Sequence, residues 1–294
     1  MRGGNDILPP VAVKPKIAIV GAGSLANALA PALRRAGYTI TEIIGRATSA
    51  SRRKSKLLRR KVGAQAATAA TARLDADVVW FCVPDREIHP AAAALARRAA
   101  GRVRFAFHSS GACTSRELDP LRKVGTAAAS VHPLMTFVAG SQPALQGVPL
   151  AIEGDTRATR VAQRIARDLG GDPFKIRATR KSAYHAWATM TCPLLLAFLV
   201  TLEDAAALAG LTRAESRRKS LPIIRQTLEN YSRLGPQNSF SGPLIRGDAE
   251  TVARHLGALK RNADLRDVYL ALARSALRTL PIKNRKELLR VLAK

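Results

Sequence analysis

The sequence is poor in the residues that staple small folds. Only Cys82, Cys113 and Cys192 are present among 294 residues. They are far apart and form no C-x-x-C pair, so neither a disulfide framework nor a metal site is expected. Aromatic residues make up 4%. Ala, Leu and Val must then fill the core, which favours helices over a thick β-sandwich. Long apolar runs are also missing. The longest, MTCPLLLAFLVTL, covers 190–202 and then meets Glu203 and Asp204, well short of the roughly 20 residues that cross a bilayer. The opening stretch MRGGNDILPPVAV has no signal-peptide core. The expectation is a cytoplasmic protein with no membrane partner.

Acid is scarce too. Asp and Glu number 21 against 48 Lys and Arg, a formal net charge of +27. The basic residues are spread along the whole chain, without zinc-finger spacing or an RNA-binding aromatic pattern. Nucleic acid is therefore not the expected partner, and a small anionic molecule is.

What the chain does have is alternation. After a leader over 1–15, an apolar run (Ile17 to Val20) ends in glycines and passes into a helical pattern. YTITEIIG, DADVVWFCVPD, VRFAFHSSG, TAAASVHPL, GVPLAIEGD and PFKI read as further strands, with helical segments between them. Such alternation predicts an α/β domain over 16–177 with a doubly wound, mostly parallel sheet. Strand signals then stop. Helices are predicted over 179–209, 212–233, 248–260, 264–279 and 284–292, making 178–294 an all-α helical C-terminal domain. GPQNSFSGPLIRGD interrupts them as an irregular segment, and Asp248 reads as a helix N-cap.

Gly21-Ala22-Gly23-Ser24-Leu25-Ala26 fits G-x-G-x-x-A between a strand and a helix. Gly21 permits a tight turn, Gly23 lets a pyrophosphate approach the backbone, and Ala26 lets the helix pack closely. The helix start supplies amide donors and a positive end. The second strand carries Glu42 but continues to Gly45, with Arg46 at its tip and Arg52 and Arg53 beyond. A guanidinium there suits a 2′-phosphate, so NADP(H) is favoured over NAD(H). Arg52 and Arg53 read equally as a solvated helix start. Val83 and Pro84 end a strand whose carboxyl end should lie along the cofactor. His108-Ser109-Ser110-Gly111 and Ser130-Val131-His132-Pro133 each put a histidine at the end of an apolar run. Lys181 and His185, one helical turn apart, point the same way. They mark either a solvated helix head or the wall of an active site.

IAIVGAG, VPD, HSSGA, SVHPLMTF, GVPLAIEGD, KSAYHA, RQTLEN and GPLIRGD together resemble one known family. It joins a Rossmann-like domain to a C-terminal domain of unknown function 2520, within the 6-phosphogluconate dehydrogenase-like group. Pyrroline-5-carboxylate reductase and ketopantoate reductase are relatives. The resemblance implies a catalytic lysine at the start of the first helix of the second domain, the position of Lys181, with His185 a turn later. The His132-Pro133 pair looks like the substrate-side pair of prephenate dehydrogenases. Cys192-Pro193 departs from the Ser-Asn common in the family, and Pro193 should kink its helix.

The expected function is NADP(H)-dependent reduction of a small carboxylate bearing C=O or C=N, with ketopantoate-like 2-oxo acids favoured. The cleft is expected between the domains. Lys181 or His185 would supply the proton, and Ser110 and His132 would orient the substrate. Arg246 would pair with its carboxylate, or else form an interdomain or subunit salt bridge. An imine reductase, a 3-hydroxyacid dehydrogenase and an NADP(H)-binding regulator without turnover are the alternatives. A homodimer through the helical domain is expected from the apolar helix 190–202.

Overall fold

The structure, a computed structural model, describes residues 13–141 and 143–293. Residues 1–12 of the expected leader lie outside them. Lys14 is anchored, donating to the Ala36 carbonyl (2.6 Å) and pairing with Asp168 at 3.0 Å.

Eight strands form one sheet: β1 (Ile17–Val20), β2 (Ile40–Gly45), β3 (Gln65–Thr68), β4 (Val78–Phe81), β5 (Phe105–His108), β6 (Ala127–Pro133), β7 (Pro149–Gly154) and β8 (Asp172–Lys175). Their order is β3-β2-β1-β4-β5-β6-β7-β8. Every neighbouring pair is parallel except β6 with β7. The helices α1 (Ser24–Arg35), α2 (Ser49–Val62), α3 (Asp85–Ala99), α4 (Asp119–Arg122) and α5 (Thr156–Asp168) connect them. This is the doubly wound, mostly parallel, Rossmann-like architecture that the alternation predicts.

The central strands are apolar throughout because both faces are covered. Ile17 and Ile19 of β1 join Leu29 and Leu33 of α1 on one side. Ala18 and Val20 join Ile88 and Leu95 of α3 on the other. β3 has no such signature. Its QAAT sequence is exposed to half-buried at the sheet edge, and only pairing with β2 makes it a strand.

The chain divides into two compact units, one through Cys192 and one from Pro193. The sequence predicts the boundary between 177 and 178, before the helix that begins at Lys181. The division comes after that helix, α6 (Lys181–Thr191), because its side chains are bonded to β6 and to the loop after β5. The expected single helix over 179–209 is broken where Pro193 cannot donate a hydrogen bond. Cys192 leaves helical geometry (φ −122°, ψ −73°), and α7 (Pro193–Ala207) starts afresh.

The second unit contains α7, α8 (Arg213–Ser239), α9 (Pro243–Arg246), α10 (Ala249–Leu259), α11 (Ala263–Thr279) and α12 (Arg285–Leu292). Val252, Leu256, Leu270, Leu277 and Leu288 form its core. Asp248 caps α10, its carboxylate accepting from the Thr251 N–H at 3.0 Å. The segment expected to be irregular is partly helical: Gly235 (φ 74°) kinks α8, and the helix resumes to Ser239. α7 buries only Glu203, and α8 only Ser216. Glu203 is held by Arg217 (2.9 Å) and Arg213 (3.6 Å). Leu194, Leu196, Leu221, Ile223, Leu228 and Tyr231 are exposed.

The helical run Ala178–Ala207 is, by length and composition alone, long and apolar enough to cross a membrane, with a mean hydropathy of 1.6 in its most apolar window. Counting only uninterrupted apolar residues over 190–202 did not reveal this.

Candidate functional site at the carboxyl edge of the sheet

β1 runs into Gly21, whose φ of +104° is a conformation that only glycine adopts without strain. A Cβ there would also run into the Cys82 carbonyl and stand 3.0 Å from Cγ1 of Val83. Val83 therefore abuts the glycine turn, and Pro84 precedes α3. Gly23 is the opposite case, since a Cβ on it would meet nothing within 4 Å. The space over this backbone is open. Gly23 is also the N-cap of α1, with no capping side chain and no acid in the first turn. Ser24 opens that turn and is exposed, while Ala22 and Leu25 pack against the core. Free amides, a positive helix end and an open approach fit a pyrophosphate.

Glu42 is not available to a ribose. It is buried, and its carboxylate accepts the N–H groups of Arg73 (3.0 Å) and Leu74 (2.9 Å). Past Gly45, the tip of β2 carries cations instead. Arg46, Arg52, Arg53 and Lys56 line a cavity of about 590 Å³ that also includes Ser55. The Ser55 hydroxyl is buried and has no hydrogen-bond partner among the described residues. The Arg46 guanidinium is exposed, with Glu87 3.8 Å away. These residues fit a phosphate monoester better than a pair of ribose hydroxyls.

A second polar cluster is built from the ends of β5 and β6 and the first turns of α6. Lys181 is the surprise. It is 1% exposed, and its ammonium donates to the Ser110 carbonyl and to Ser130 Oγ, both at 2.7 Å. Neither solvated helix head nor open active-site wall describes it. Burial pushes its pKa down to about 8, opposed by the negative charge of Glu153. Glu153 pairs across β6 and β7 with Ser130. Its carboxylate accepts from the Ser115 N–H (2.6 Å) and hydroxyl (3.1 Å).

His108 is fully buried and locked. Its Nδ1 accepts from the Ser110 N–H (3.1 Å), so Nε2 carries the proton given to the Thr114 carbonyl (2.9 Å). Burial pushes its pKa down to about 4. His108 is thus a brace for the HSSG loop. Ser110 Oγ accepts the N–H groups of Ala112 and Cys113 and tightens the same loop.

His132 lies 2.7 Å, through Nδ1, from the Tyr184 hydroxyl. Burial, then the charges of Lys181 and His185, pushes its pKa down to about 4. The half-buried His185 ring faces it edge-on, with centroids 6.2 Å apart. Gly111 fits beneath both rings. A Cβ there would stand 2.5 Å from His185 Cδ2 and 2.9 Å from His132 Nε2.

The fold thus brings Ser110, His132, Lys181 and His185 together. Arg246 is exposed at the end of α9 in the second unit. Sequence reasoning gave no role to Tyr184, Ser130 or Gly111. Tyr184 had a signal: three residues after Lys181, it shares that helical face. Ser130 and Gly111 had none, because their roles come from strand pairing and ring contact.

Residues 148–276 match the family described as Domain of unknown function (DUF2520), and residues 16–103 match NADP oxidoreductase coenzyme F420-dependent. No curated protein matches the chain. Among solved structures, protein TM1727 from Thermotoga maritima is 24% identical with a TM-score of 0.69, over 88% of this chain and 97% of that one. Pyrroline carboxylate reductase from Plasmodium falciparum, with NADP bound, is 15% identical with a TM-score of 0.57, over 89% and 97%. Imine reductase from Myxococcus stipitatus, in complex with NADP+, is 14% identical with a TM-score of 0.63, over 90% and 94%.

Proposed function

We propose that this chain, which joins an NADP-oxidoreductase domain to a domain of unknown function 2520, reduces a small 2-oxo acid with NADPH. The observation that carries the reading is the all-donor character of the cluster at the ends of β5 and β6. Lys181, His132 and His185 meet there, and no carboxylate bonds to any of them among the described residues. A carbonyl oxygen on an anionic molecule can accept from the imidazoles and is attracted by the Lys181 ammonium. An iminium has no lone pair to accept with, and its charge is repelled by Lys181.

Gly21, Ala22, Gly23, Ser24 and Leu25 would hold the pyrophosphate, with Val83 and Pro84 alongside. Arg46, Arg52, Arg53 and Lys56 would hold the 2′-phosphate. When bound, the cofactor supplies a hydride to the carbonyl carbon. His185 gives a proton to the oxygen, yielding the hydroxy acid, and recovers one from water. Lys181 keeps its proton and serves as fixed positive charge, because its ammonium is committed to Ser110 and Ser130. Quenching or enhancement of nicotinamide fluorescence should report NADPH binding about tenfold or more tighter than NADH, the scale of one charge-assisted contact. NADPH oxidation should follow addition of a 2-oxo acid, with ketopantoate the first to try and a cyclic imine run beside it. Oxidation with the imine alone would reverse the assignment, and binding without any turnover would make the chain a regulator.

The exposed apolar faces of α7 and α8 are best covered by a second copy of the chain. Sedimentation without detergent should give a dimer. A monomer that sediments freely, or a chain that floats with vesicles, would overturn this.

A further inference from the structure

We propose that Tyr184 is a positioning residue that fixes His132 in the Nε2–H tautomer, so that this imidazole, and not Lys181, presents a hydrogen bond to the substrate's reacting oxygen. The inference rests on the reductase reading for the identity of that oxygen. The tautomer itself does not.

The Tyr184 hydroxyl has one proton to place. The side chain is buried, and among the described residues its oxygen has one partner, His132 Nδ1 at 2.7 Å. Burial pushes its pKa up to about 12, so it stays protonated. The ring cannot swing away, since Phe174 and Trp187 pack against it at centroid distances of 6.1 and 5.9 Å. Tyr184 therefore donates and Nδ1 accepts. A neutral imidazole with a bare Nδ1 must carry its proton on Nε2.

Among the described residues that N–H has no acceptor. It lies beside the Gly111 backbone, where a Cβ would stand 2.9 Å from Nε2, so any side chain at 111 would block the space next to it. The groups around the ring keep it uncharged. Lys181 and His185 on α6 and His108 on β5 oppose a further proton, and Asp85 at the start of α3 favours one. A neutral imidazole can polarise a carbonyl and hold the developing oxyanion without giving up its proton. Lys181, with its ammonium inside the protein, does not reach the same space.

The test is nitrogen-15 NMR of the histidine side chains, with His132 assigned from the signals lost in His132→Gln. In the unmodified protein, free of cofactor and substrate, Nε2 should be pyrrole-like and Nδ1 pyridine-like. The Nδ1–H form would overturn the proposal whatever the variants do. In Tyr184→Phe the pattern should become a mixture of tautomers, and an unchanged pattern would remove Tyr184 from the role. Addition of NADP+ with ketopantoate or pyruvate should shift His132 Nε2 in the unmodified protein, whereas an unmoved resonance would refute the substrate contact. With an active substrate, Tyr184→Phe should lower kcat about tenfold with little change in KM. If the tautomer is found and no 2-oxo acid is reduced, the reductase reading alone has failed.

Discussion

Between pH 8 and 10.5 the native chain should gain stability relative to Lys181→Met by on the order of 3 kcal/mol. The lysine titrates near 10.5 when unfolded and at about 8 when folded. Over that window the unfolded state binds the extra proton, so raising the pH favours the folded state. Below pH 8 both states are charged and the difference is flat. The comparison with Lys181→Met matters because other groups titrate in the same range. Burial pushes the Cys82 thiol up to about 12 and the Cys113 thiol in the same direction, and both subtract stability as the pH rises above about 9. Their contribution is common to both proteins and cancels. Urea unfolding at intervals from pH 7 to 10.5 would show it, and parallel curves would mean that Lys181 is not buried as a cation.

The same substitution should lower turnover on the order of a hundredfold, through lost attraction for an anionic substrate and a loosened Ser110 loop. It should also raise the His132 titration midpoint, since one of the charges holding it down is gone. Methionine approximates the lysine's volume, so the loss is electrostatic rather than a cavity. Unaltered turnover would show that the ammonium matters only to the fold.

The glycine turn after β1 and the cationic tip of β2 were legible in the sequence because their determinants are local. Gly21, Gly23 and Ala26 do their work within one strand–turn–helix unit, and Arg46 follows the strand that places it. The cluster at the ends of β5 and β6 was legible only as a list of residue types. Lys181 and His185 do share a face of α6, yet one is buried among backbone carbonyls and hydroxyls while the other is half open. That difference comes from which residues β5 and β6 bring beneath the helix, and helical spacing does not encode it. The domain boundary moved for the same reason. Composition changes near residue 177, but α6 is tied to the sheet by Lys181 and Tyr184, and only Pro193 ends that attachment. β3 is likewise a strand by position at the sheet edge rather than by sequence.

The two buried histidines should make the fold acid-sensitive before its carboxylates titrate. His108 and His132 each have a folded pKa of about 4 against 6.5 for the free side chain. Between those values the unfolded chain binds more protons, so stability present at pH 7 is lost as the pH falls from 6.5 towards 4. From pH 6.5 to 5 the pair should cost about 3 kcal/mol, a large share of a typical domain's stability. Asp168, Glu215 and Asp248 all have pKa values lowered by hydrogen bonds, so their effect comes mainly below this window. Urea midpoints at pH 7, 6 and 5 should fall steadily at an unchanged m-value. His132→Gln should remove about half of the slope, because a glutamine needs no charging on unfolding. His108 would carry the remaining half, through the desolvation of a ring whose two nitrogens are committed to the Ser110 N–H and the Thr114 carbonyl. A midpoint that stays level from pH 6.5 to 5 would mean that at least one of these rings is already charged in the folded protein. A charged His108 would have to break its bond from Ser110, and a charged His132 would have to turn the Tyr184 hydroxyl from donor into acceptor.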